Sequence, residues 1–263
     1  MLKLVILIIY FAVLIGIGLY CRKHATDVNG FVLGGRSVGP WLTAFAYGTS
    51  YFSAVVFVGY AGQFGWKYGI AATWAGIGNA IIGSLLAWVV LGRRTRIMSQ
   101  HLDSATMPQY FGKRFGSNPL KIGASVIIFI FLIPYTASLY NGLSRLFGMA
   151  FNIDYSVCII IMATLTAIYV IAGGYMATAI NDFIQGIIML FGIVAVIDAV
   201  IHSKGGFMSA LQGLANVSDP AVSDTPGIFA SFFGPDPFNL LCVVILTSLG
   251  TWGLPQMVQK FYA

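Results

Sequence analysis

Polar residues interrupt an apolar stretch where this sequence could do chemistry. In GPWLTAFAYGTSYFSAVVFVGYAGQFG, residues Gly39–Gly65, the centre carries Gly48, Thr49, Ser50 and Ser53. If the helix unwinds there, the freed backbone carbonyls and hydroxyls are the oxygen donors that ligate a small cation. On an unbroken helix the same residues would be small side chains at a helix–helix contact. A second such place is TSLGTWGLPQMVQ, where Gly250, Gly253 and Pro255 crowd an apolar run. Pro255 has no backbone N–H to donate and leaves a carbonyl free one turn earlier. Two interrupted helices, well separated in the chain, are the mark of a structural repeat whose broken helices share an ion site.

Carboxylate chemistry is limited. Asp182 and Asp198 share one apolar segment, and on a helix their spacing puts them about 24 Å apart, so they form no aspartyl dyad. The chain has no Glu, which excludes zinc proteolysis through H-E-x-x-H. A channel is open on physics alone, but no filter loop of the TVGYG kind is present.

Composition says what surrounds these residues. Of 263 residues, 58% are hydrophobic and 8% charged, with mean hydropathy +0.87, whereas a soluble domain is about a quarter charged. The chain belongs in a bilayer. Stretches of about 20 apolar residues cross the hydrocarbon core, which predicts spans at Leu2–Cys21, Trp41–Gln63, Ile70–Leu91, Ile122–Phe147, Tyr155–Ala172, Phe183–Ile201 and Phe238–Phe261. With alternating spans, Arg22, Lys23, Arg36, Arg93, Arg94, Arg96, Lys113, Arg114, Lys121 and Lys260 share one side, and Lys3, Lys67, Arg145 and Lys204 the other. The positive-inside rule then puts the N-terminus outside a multi-pass plasma-membrane protein.

The net charge of +6 therefore sits in cytoplasmic loops and does not point to nucleic acid, since no extended basic surface or reading module accompanies it. CRKH follows the first span in place of a small-residue cleavage site, so that span reads as a retained anchor. Cys21, Cys158 and Cys242 lack metal-binding spacing and read as small apolar residues. Between spans three and four, Met107–Phe115 reads as a short interfacial helix. In the outer loop Ser203–Pro237, GGFMSALQGLA could form a surface helix amid turn residues.

Four segments in order, FVLGGRSVGPWLTAFAYGTSYFSA, FIFLIPYTASLYNGLSRLFG, VIAGGYMATAINDFIQGIIMLFG and WGLPQMVQKFYA, resemble the sodium:solute symporter family, whose members carry proline, pantothenate, sugars and sialic acid. The resemblance implies an all-α polytopic fold of the LeuT inverted-repeat type. It also implies that this chain is an incomplete, N-terminal portion: one transmembrane domain over 1–263, with a leading span 1–21, the first repeat 41–201 and the first helix of the second repeat at 238–263. It implies Na+ as the coupling ion, bound by the Thr49 and Phe52 carbonyls with Ser53 nearby, the remaining wall coming from a later helix.

By the same resemblance Asp182 lies by the inner cavity and takes part in a second sodium site or the ion's exit route. An ionisable residue near membrane depth is a functional candidate by default, whereas at a helix N-terminus it would only favour the dipole, by roughly 0.3–1 kcal/mol. Arg36 matches the Arg of the family's GGRS-GP element and is either a positive-inside anchor or part of the inner gate. Tyr51, Gln63, Tyr135, Thr251 and Trp252 are cavity candidates, the aromatic ones also open to a core-packing role. Proline transporters of the family carry Asp at Tyr51 and Gly-Trp at Ala54–Val55, so the resemblance leans away from proline toward pantothenate-type members.

The sequence thus predicts sodium-coupled symport of a small organic solute by alternating access, without covalent chemistry. The partners are the solute, the lipid bilayer and a missing C-terminal half, without which the chain alone would not be competent. The alternatives are a non-transporting truncated or fragment product, and a channel or proton-coupled carrier on the same scaffold.

Overall fold

A computed structural model describes residues 2–52 and 60–263. Helices dominate, and among the described residues the only β-pairing is an isolated bridge between Asp219 and Ser223. In chain order the described helices are α1 (Leu2–Cys21), α2 (Val28–Leu33), α3 (Pro40–Tyr51), α4 (Ala61–Tyr68), α5 (Thr73–Gly78), α6 (Arg93–His101), α7 (Met107–Phe115), α8 (Asn118–Phe151), α9 (Tyr155–Ser203), α10 (Phe207–Ala215), α11 (Pro237–Gly250) and α12 (Pro255–Tyr262). Among the described residues three runs are long and apolar enough to cross a membrane: Ala61–His101, Asn118–Phe151 and Tyr155–Ser203. The pair α11 and α12 makes a fourth if counted as one broken span. The protein is an all-α polytopic membrane protein.

Local chemistry explains where several elements start and stop. Asp27, Thr106, Ser117 and Asp236 each accept a backbone N–H in the first turn of the helix that follows, as N-caps do. The short helices expected at Met107–Phe115 and within the 203–237 loop are α7 and α10. The expected loop between spans five and six is absent, because α9 runs through it with one break at Gly174 (φ 56, ψ −149). That backbone region is open essentially to glycine alone, so α9 is two helical segments that meet at a kink on this one residue. A Cβ at Gly174 would also lie 2.7 Å from the Phe31 carbonyl oxygen.

Both expected interruptions are visible. Within the predicted second span α3 stops at Tyr51, and Phe52 has left helical geometry (φ −87, ψ 66). In the predicted seventh, α11 ends at Gly250, a 3-10 turn covers Thr251–Gly253, and Leu254 is extended (φ −68, ψ 126) before α12 begins at Pro255.

The chain divides into two compact units, Met1–Val55 with Leu91–Gly186 and Pro255–Ala263, and Val56–Val90 with Ile187–Leu254. The core of the first contains Leu33, Val38, Ala46, Tyr175, Ala179, Val258 and Tyr262, so α12 packs on α3 and on the middle of α9. The core of the second is Tyr68, Ala71, Ala75, Leu240 and Val244. There Asn79 donates to Thr247 Oγ1 at 3.2 Å, tying the run after α5 to α11.

Candidate cation and gate site

Helices α3, α9 and α12 converge on Asp182. The helix that carries it begins after the Gly174 break, so Asp182 lies two turns inside rather than at an N-terminus. The dipole reading therefore fails, since that effect fades within the first turn. Close approach of α3 is allowed by Gly186, one turn further on. A Cβ there would collide with Phe45 Cδ1 and stand 3.2 Å from Thr49 Cγ2. Phe45 also packs edge-on against Phe183, with centroids 4.8 Å apart.

This packing sets the Thr49 side chain near the Asp182 carboxylate. Thr49 Oγ1 donates to the Phe45 carbonyl at 2.9 Å. Its proton is directed at backbone carbonyls of its own helix, Ala46 O lying at 3.4 Å, and the oxygen keeps lone pairs for a cation.

From α12 comes a cation that the pattern of basic residues assigns only to the cytoplasmic side. Lys260 Nζ lies 3.5 Å from Asp182 Oδ2, with the side chains 8% and 21% exposed. It also stands 4.9 Å over the ring of Tyr175, within cation–π range. Tyr175 and Asp182 are seven residues apart on α9 and so share a face. The signal for this in the sequence is weak: a Lys four residues after Gln256 on the broken helix, far along the chain from its partner.

Arg36 organises the neighbouring end of this unit. Its guanidinium donates to Ser104 O at 2.9 Å, Ser99 Oγ at 3.2 Å, Ser99 O at 3.3 Å and Tyr262 O at 3.4 Å. Arg96 in turn donates to the Arg36 carbonyl at 3.2 Å. Burial pushes the Arg36 pKa down, the nearby Asp103 opposes that, and Arg96 adds to it. Gln259 Nε2 donates to the Val32 carbonyl at 2.7 Å, a further tie from α12 to the segment before α3. Three segments expected in the cytoplasm, around Arg36, Ser99–Ser104 and the end of α12, thus meet in one place.

The other expected site residues are placed less tellingly. Phe52 N still donates to Gly48 O at 2.9 Å, so the break begins at Phe52 and not at Gly48. Ser53, Ala54 and Val55 lie outside the described residues. Tyr51 is buried among Tyr47 and Phe52, and Tyr135 is half-buried beside the helix-internal Pro134 of α8. Gln63, Thr251 and Trp252 belong to the second unit. There Gln63 is exposed, Thr251 donates to Ser248 O at 2.8 Å, and the Trp252 indole donates to Ile82 O at 3.0 Å. Among the described residues no group of three or more His, Cys, Asp or Glu could hold a metal ion.

The profile of the sodium:solute symporter family matches residues 31–263. The chain belongs to the sodium:solute symporter family. It is 31% identical over 258 residues to the osmoregulated proline transporter OpuE of Bacillus subtilis, covering 97% of this chain and 50% of that protein. To a sodium/proline symporter of Staphylococcus aureus it is 32% identical over 271 residues, with 98% and 49% covered. This member of the sodium:solute symporter family thus spans about half the length of the curated relatives it matches. Both relatives are named for proline, whereas the expectation drawn from Tyr51, Ala54 and Val55 leans away from it.

Proposed function

We propose that this protein works in sodium-coupled symport of a small organic solute, with proline the first candidate from the names of its relatives. The observation that carries the reading is the convergence of α3, which ends in a break, and α12, which begins after one, on the carboxylate of Asp182. A carboxylate with a hydroxyl and unwound backbone suits a monovalent ion with oxygen ligands. In this reading Thr49, Phe52 and Ser53 supply carbonyl and hydroxyl donors to Na+, Asp182 supplies the charge, and Tyr51 and Tyr135 face the solute. Arg36 holds the inner end closed by tying Tyr262 to the Ser99–Ser104 turn. Sodium and solute would stabilise the same occluded state, so each raises the other's affinity by an equal factor.

The test is uptake into proteoliposomes by the protein at the full length of its relatives, because these 263 residues span about half of that length and are not expected to be competent alone. An inward sodium gradient should drive accumulation of labelled proline, or of pantothenate, a sugar or sialic acid if proline is not carried. Replacing external sodium by potassium should abolish it. Accumulation driven by a proton gradient without sodium would overturn the ion assignment, and indifference of every solute to sodium would overturn symport.

A further inference from the structure

We propose that the Lys260 ammonium is a tethered cation occupying the Asp182 site, which a monovalent coupling ion must displace in order to bind there. The inference rests on the reading of Asp182 as an ion site and adds to it what holds the site in the ion's place.

The geometry is that of a cation already received. The ammonium has a carboxylate oxygen at 3.5 Å and an aromatic face at 4.9 Å, and the Thr49 side chain lies by the same carboxylate. At 3.5 Å the pair is longer than a charge-assisted hydrogen bond of about 2.7–2.9 Å. Lys260 is therefore held by charge and enclosure more than by a directed bond, and it hangs on a flexible stem that can withdraw.

Buried polar groups on the two helices that carry the pair are also left over. Neither the side-chain amide of Asn181, 1% exposed, nor the Tyr175 hydroxyl finds a hydrogen-bond partner among the described residues. The same is true of the Gln256 amide, one turn before Lys260 and so on its face of α12. Buried polar atoms are rarely left without partners in native proteins, and the Tyr175 hydroxyl belongs to the ring over which Lys260 stands.

Charge selects what can take its place. With Lys260 seated, the two side chains sum to zero. A monovalent ion that replaces the ammonium keeps that sum, whereas a divalent ion would leave an uncompensated positive charge in a poorly solvated place. Lys260 stands on the helix that Gln259 ties to Val32 and whose terminal carbonyl Arg36 holds. Ion exchange at Asp182 is thereby linked to the position of α12.

A tethered competitor lowers apparent affinity by the fraction of time the site is free. Purified protein is titrated with sodium chloride at constant ionic strength against choline chloride, with the unfolding midpoint as readout. Lys260→Met should lower the half-saturating sodium concentration about fivefold or more. Its midpoint in choline should fall, and sodium should restore it while calcium does not. Asp182→Asn/Lys260→Met should show no sodium-dependent shift.

Lys260→Arg keeps the positive charge and grips a carboxylate in two places, so it should raise the half-saturating concentration. This arm decides the matter if Lys260→Met does not fold. An unchanged or raised half-point in Lys260→Met, or an unchanged or lowered one in Lys260→Arg, would overturn the tether. The titration needs neither solute nor gradient. Wild-type protein that accumulates solute with sodium while the Lys260 variants fail these tests sinks the tether alone. Absence of sodium-driven uptake by the wild-type sequence extended to the full length of its relatives sinks the symport reading whatever the variants do.

Discussion

Arg36 Nη2 donates to the Ser104 carbonyl at 2.9 Å across 68 residues of sequence. The same guanidinium reaches Tyr262 O, 226 residues away. A group that joins three distant segments through carbonyl acceptors ties them together. Arg36→Ala leaves those carbonyls without their charged donor, and such bonds contribute about 1.5–3 kcal/mol each. The expected loss is on the order of 2–3 kcal/mol in chemical unfolding. Arg36→Lys, which cannot fork between acceptors, should recover less than half.

Asp182→Asn leaves the Lys260 ammonium enclosed without its counter-charge. Breaking a buried pair from one side costs about 3–5 kcal/mol, and the double variant Asp182→Asn/Lys260→Met should regain most of it. In uptake assays Asp182→Asn should raise the half-saturating sodium concentration more than that for solute. Equal shifts in both would remove Asp182 from the ion's path.

Gly174→Ala puts a Cβ into a left-handed backbone (φ 56) against the Phe31 carbonyl. The expected cost is about 1–3 kcal/mol from conformation, read as a lower unfolding midpoint. A midpoint equal to wild type would mean that α9 tolerates a straight path there.

Gly186→Val should push Phe45 and Thr49 away from α9, because a Cβ has no room beside Phe45. Sodium-dependent stabilisation should weaken. The effect should be milder for Gly192→Val, where an added Cβ would meet nothing within 4 Å.

Membrane orientation is tested by labelling single cysteines in a background with Cys21, Cys158 and Cys242 replaced. Arg114 and Ser218 are both exposed, and they fall on opposite sides of the expected topology. An impermeant maleimide added outside intact cells should modify Ser218→Cys and spare Arg114→Cys. The reverse pattern would invert the orientation read from the basic residues.

By itself the sequence determined the elements whose causes are local. The length of apolar stretches and the scarcity of charge required a bilayer-embedded helical protein. The amphipathic run Met107–Phe115 was legible as α7, and the structure shows its limits to be local as well: a Thr106 cap, a first-turn proline and the left-handed Gly116. The breaks near Phe52 and at Gly253–Pro255 were legible for the same reason. Helical continuity through Gly173–Asp182 was not: hydropathy reads small and polar residues as a loop, whereas packing against neighbouring helices keeps them helical around one glycine kink. Nor was the partner of Asp182. Any of the ten Lys and Arg residues assigned to the cytoplasmic side has the right charge, and only the docking of α12 on α3 and α9, through Tyr47, Phe261, Tyr175 and Val258, brings Lys260 to the carboxylate. Charge is carried by residue type, but the distance and dielectric that turn charge into an ion site exist only once helices have packed.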